Sequence, residues 1–78
     1  MLSEDILPIA HIELNAAVVL AHIAHRNGKA ATLKRVQSII TTKVALIESI
    51  LKQSPDLSTH EHDDDLAAAK KAIRFLIE

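Results

Sequence analysis

LAHIAHRNGKAATLKRV, residues 20–36, holds the only glycine in a chain of 78, and apolar residues recur at helical spacing on both sides of it. Gly28 fits the left-handed position that commonly ends a helix, with Arg26 and Lys29 near the negative end of the helix dipole. One helix therefore stops at about Asn27 and a second starts at about Ala30. Two helices joined by so short a turn pack most simply antiparallel, so this stretch is the bend of a helical hairpin.

Working outward, the first helix is expected over about 6–27, with Asp5 as N-cap and Pro8 in the first turn, where a missing N–H loses no helical partner. The second covers about 30–53, and Ser54-Pro55-Asp56 stops it. The third, about 59–78, opens on Ser58-Thr59-His60-Glu61, an S-x-x-E capping box, followed by Asp63, Asp64 and Asp65 in the positive first turns. No internal repeat, low-complexity segment or period-two strand pattern interrupts this plan. The sequence predicts an all-α single domain over residues 1–78: an antiparallel hairpin with a third helix packed along it, dimerising into a larger helical bundle.

Composition points the same way. One third of the residues are Leu, Ile, Val, Met or Phe, and twelve more are Ala. A chain this short buries only about 60% of its unfolded surface, so some of that apolar material is expected to meet a second subunit or a protein partner. There is no Cys, Trp or Tyr, which excludes disulfides and thiolate metal sites and favours an intracellular, cytoplasmic chain. MLSEDILP carries acids where a secretory signal carries Lys or Arg, so no targeting segment is expected. The longest apolar stretch, Ala16 to Ala24, is broken by His22 and is shorter than the ~20 residues a bilayer requires; no membrane partner is expected. Net charge is −1, but residues 26–53 sum to +5 and each flank to −3. Acidic flanks of this kind serve to neutralise a basic middle at close range.

Helical periodicity assigns the faces. In the first helix Ile6, Ile9, Ile12, Ala16, Val19, Leu20, Ile23 and Ala24 fall within an arc of roughly 140° and are expected to face the core, with His11, Asn15, His22 and Arg26 solvated opposite. In the second, Leu33, Val36, Ile39, Ile40, Val44, Leu46, Ile47, Ile50 and Leu51 fill roughly 160°. The third has a stripe of Leu66, Ala69, Ile73, Leu76 and Ile77 and a second apolar row, Ala68, Ala72 and Phe75. Phe75 is the only aromatic residue, and this second row is the expected partner or dimer interface.

Each of the first two arcs is broken by one charge, Glu13 and Lys43. The hairpin register pairs position i with a position near 57 minus i, which brings the two to one level and predicts an interhelical ion pair. Within a buried seam, removing one partner would cost roughly 3–5 kcal/mol.

Several chemical patterns remain. Ile23, Ala24, Gly28, Ala31, Thr32, Leu33, Arg35 and Val36 resemble the order of a helix-turn-helix, but one residue is missing before Ala31 and Lys29 replaces an apolar anchor. Arg26, Lys29, Lys34 and Arg35 are the possible phosphate contacts of a nucleic-acid-associated regulator. His25-Arg26-Asn27-Gly28-Lys29 is similar to the H-x-x-K-G motif of histidine phosphotransfer domains with its last two residues exchanged, which would make His25 the phosphoacceptor. His22 with His25, and His60 with Asp64, have the spacing of paired metal ligands, with His62 nearby, but neither pair has an assured third ligand. No catalytic constellation, metal site or cofactor is expected. The function expected is therefore a small intracellular protein-interaction module, an adaptor, inhibitor or immunity-type binder, acting through an apolar helical surface as a homo-oligomer.

Overall fold

A computed structural model of the protein describes residues 3–54, 56 and 60–75, with side chains from 6 to 54, at 56 and from 63 to 75. Three helices pack together: α1 (Ser3–Arg26), α2 (Ala30–Gln53) and α3 (His60–Ile73). Among the described residues there is no strand. The helices form a shallow body of 41 × 22 × 15 Å, in which α3 lies against both arms of the α1–α2 hairpin.

The bend is built as the sequence implied. Gly28 takes φ +67°, the left-handed conformation that L side chains avoid. The Lys29 N–H donates to the Ala24 carbonyl at 2.9 Å and the Gly28 N–H to that of His25 at 3.3 Å, the paired bonds of a Schellman C-cap. The start of α1 differs from expectation: Ser3 is already helical, so Asp5 is not its N-cap and Pro8 lies inside it. There Pro8, with no N–H, forfeits the i→i−4 bond to the Glu4 carbonyl. The Ser58–Glu61 capping box lies outside the described residues, apart from the helical backbone of His60 and Glu61, as do Leu76 and Ile77.

The faces of α1 are the main correction. Its buried residues are Leu7, Ala10, His11, Leu14, Ala17, Ala21 and Ala24. The arc expected to be inward is, apart from Ala24 and the partly buried Ile6, outside: Ile9, Ile12, Ala16, Val19, Leu20 and Ile23 are exposed. The reason is steric complementarity. A face of alanines allows the second helix to approach closely, and Leu33, Val36, Ile40, Val44, Ile47 and Ile50 of α2 supply the bulk that fills the space between. Ile39 and Leu46 of α2, also expected inside, are exposed. From α3, Leu66, Ala69 and Ala72 complete the core.

His11 was expected on a solvated stripe and is instead buried between α1 and α3. Its Nδ1 donates to Asp65 Oδ2 at 2.9 Å, linking the two helices and satisfying a polar group that would be costly to bury unpaired. Asp65 is thus more than a helix-start acid.

Candidate functional site

Ile9, Ile12, Val19, Leu20 and Ile23 are each between 48 and 71% exposed, and Ile39 and Leu46 of α2 are exposed as well. A helix that is apolar nearly all round is ordinarily enclosed on all sides. α1 is covered on one side only. Seven large aliphatic residues, each about half exposed, amount to on the order of 600 Å², the upper end of the largest apolar patch on a typical monomer.

One ion pair marks where this face meets α2. Lys43 Nζ lies 2.8 Å from Glu13 Oε2, the two residues that the hairpin register brings to one level. The pair is at a rim and not within the seam, since the Lys43 and Glu13 side chains are 24% and 50% exposed. A shallow groove beside it is lined by Ile6, Ile9, Ala10 and Leu46 together with the pair itself. The net effect is a face whose nearest charges neutralise one another.

The row Ala68, Ala72 and Phe75 does not form an outward surface. Ala72 is fully buried against the hairpin, Ala68 is exposed and Phe75 is half-buried. α3 ends at Ile73, so Phe75 leaves the helix instead of extending its stripe. Its ring stacks on His25 at a centroid distance of 4.7 Å and meets His22 edge-on at 4.8 Å. Gln37 of α2 holds this chain end in place: its Nε2 donates to the carbonyls of Ala72, Ile73 and Phe75 at 3.2, 3.0 and 2.9 Å. The Ala72 and Ile73 carbonyls are among the orphan acceptors that any helix C-terminus presents, and that of Phe75 lies just beyond the helix.

That cluster also accounts for the two histidines of the opening stretch. His22 and His25 serve as a platform for Phe75, so the ring proposed for phosphoryl transfer carries an aromatic neighbour on one face. Arg26, Lys29, Lys34 and Arg35 are all exposed around the α1–α2 turn. Lys29 is the N-cap of α2 with no side-chain cap bond, and no acid lies in that helix's first turn. A second ion pair, Lys70 Nζ to Glu48 Oε1 at 3.3 Å, joins α3 to α2 on the surface. Among the described residues no three His, Asp or Glu side chains gather around a common point; the side chains of His60 and His62 lie outside that description.

As a whole helix, Ile6–Arg26 is long and apolar enough to cross a bilayer by length and composition, with mean hydropathy 1.7. Core helices of soluble proteins and signal sequences share that property, so it assigns no location. Comparison with family models, with curated proteins and with solved structures finds no match. Among the described residues, the outward face of α1 is a broad apolar surface that the fold leaves uncovered.

Proposed function

We propose that this protein is a small helical interaction module whose working surface is the outward face of α1, flanked by Ile39 and Leu46 of α2. The observation that carries the reading is that five large aliphatic side chains of one helix stand 48–71% exposed while a parallel row of alanines on the same helix is buried. Leaving Ile and Val in water while burying Ala runs against transfer free energy, at about 25 cal/mol per Å² of apolar surface. It becomes favourable when a second protein surface covers the exposed row. The interface therefore moves from Ala68, Ala72 and Phe75 to Ile9, Ile12, Val19, Leu20 and Ile23.

Association is tested with Ile12→Glu/Ile23→Glu, both exposed positions. The wild type is expected to associate, with itself or with another protein, and the variant to lose that association while its far-ultraviolet circular dichroism stays helical. Association undiminished in the folded variant would remove this face from consideration.

A second reading rests on the α1–α2 turn, where four exposed cations surround an uncapped helix N-terminus with no compensating acid. Such an end suits a phosphate backbone. A salt-dependent shift of duplex DNA or RNA that is lost in Lys29→Ala/Lys34→Ala would support it.

A further inference from the structure

We infer that the occupant of the α1 face is a second copy of the same chain, with α1 crossing its counterpart antiparallel about a two-fold axis at Ala16. This deepens the interaction reading and rests on it.

The first ground is the spacing. Ile9 and Ile12 precede Ala16 by seven and four residues, and Leu20 and Ile23 follow it by four and seven. All of these positions are exposed. A two-fold axis through Ala16 in an antiparallel pair therefore sets Ile12 against Leu20 of the second copy, Ile9 against Ile23 of the second copy, and the reverse. A closed dimer needs such a self-complementary patch, in which each contact occurs twice. Helical periodicity alone allows this register, with Val19 then level with Glu13 of the second copy at the border of the face. The residue at the centre, the charge and the area favour a second copy over a different protein or a lipid surface.

The second ground is the residue at the centre. Ala16 is exposed, lies in line with the larger side chains and is the smallest residue of the row. A small residue at a crossing point lets two helices reach an axial separation near the short end of the usual ~8–10 Å. Ile12, Ala16 and Leu20 form one i±4 ridge, the kind that interdigitates with its counterpart.

The third ground is charge. Within the described part of α1, Glu13 is the one acidic side chain beside the face, and Lys43 neutralises it at 2.8 Å. A second copy bringing its own Glu13 meets no unpaired like charge. A membrane-surface helix would instead carry a border of Lys and Arg along the apolar face; Arg26 is the one cation on α1, in its last turn. Area agrees as well. The full apolar surface, with Ile39 and Leu46 of α2 covered along with the α1 row, is on the order of 600 Å² from each copy and then reaches roughly the 1,200 Å² lower bound of standard specific interfaces. The α1 row alone gives roughly 400 Å² from each copy, the size of a weak, concentration-dependent contact.

The chain has no cysteine, so single introduced thiols report the geometry directly. Light scattering on the full chain should give about twice its 8.5 kDa mass, reverting to one copy in Ile12→Glu/Val19→Glu. Under mild oxidation Ala16→Cys should link to itself. Ile12→Cys and Leu20→Cys should each stay largely unlinked alone and link to one another when mixed. Self-linkage of Ile12→Cys in preference to the mixed pair means parallel helices and overturns the inference. A single-copy mass at several hundred micromolar overturns it too, and leaves the interaction reading to be judged by the Ile12→Glu/Ile23→Glu association assay. A dimer that persists unchanged in the folded Ile12→Glu/Val19→Glu variant overturns both. Sedimentation of single-copy protein with zwitterionic phospholipid vesicles would assign the face to lipid and overturn the second-copy reading.

Discussion

The most direct check on the fold is to truncate one residue from each face of α1 and ask which the protein notices. Leu14 is 0% exposed and Ile12 is 71% exposed, two residues away on the same helix. Leu14→Ala removes roughly three methylene equivalents from the core, about 2.4 kcal/mol at ~0.8 kcal/mol each, and the incompletely collapsed cavity raises this to about 3 kcal/mol. Ile12→Ala removes a similar group, but most of it is already in water and no cavity forms. Its transfer loss is about 0.7 kcal/mol, from which the better helix propensity of Ala subtracts a few tenths. A domain of this size has a total stability of roughly 4–12 kcal/mol, so the first change is severe and the second marginal. The assay is urea unfolding followed by circular dichroism at 222 nm, because the chain lacks Trp and Tyr. It is run at concentrations where light scattering gives a single-copy mass, so that self-association does not contribute. Thermal midpoints should differ in the same sense, with a loss of roughly 12–24 °C for Leu14→Ala. If Ile12→Ala costs as much as Leu14→Ala under these conditions, the Ile row faces the core and the interface reasoning collapses with it.

Three further outcomes follow from individual contacts. Gly28→Ala places a side chain at φ +67°, where an added Cβ meets nothing within 4 Å; the loss should be backbone strain alone, about 1 kcal/mol, read as a melting point lower by roughly 4–8 °C, with Gly28→Asn milder. Gln37→Ala frees three carbonyls at the end of α3, and amide exchange should quicken from about Lys70 to Phe75 while α1 and α2 keep their protection. A double-mutant cycle on Glu13→Gln and Lys43→Met should give a coupling of about 0.2–1 kcal/mol, as for a solvent-accessible pair; a value near 3 kcal/mol would place the pair in a buried seam after all.

The hairpin was legible because one residue carried it: a lone glycine between two apolar periodic runs has few other uses, and the register that it sets brought Glu13 level with Lys43. The orientation of α1 was not legible from periodicity weighted by hydrophobicity. Ile9, Ile12, Val19 and Ile23 outweigh Ala10, Ala17, Ala21 and Ala24 on any transfer scale, yet burial also depends on how closely a partner helix can approach. The available signal was pairing by volume. A row of Leu7, Ala10, Leu14, Ala17, Ala21 and Ala24 at helical spacing complements the bulky β-branched row of α2. His11 was misplaced because its partner, Asp65, lies 54 residues away on α3, where local pattern gave no warning. Phe75 was misassigned because no Gly or Pro marks the end of α3; a glutamine from α2 receives that helix terminus instead.

The distribution of side chains between the two faces of α1 also makes energetic sense for an associating surface. Alanine loses no rotamer freedom on burial, so a core face built on it adds little entropic cost to folding and gains from close helix approach. Ile and Val, held by branching at Cβ to essentially one χ1 rotamer in a helix, are already ordered before a second surface arrives. An interface made from them forfeits less freedom on binding than one made from Lys, Met or Gln, whose immobilisation costs about 0.5–1.5 kcal/mol per side chain. The same helix can therefore fold against α2 and α3 through one face and keep the other stiff and apolar. That division, more than total hydrophobicity, is what the proposed interaction surface draws on.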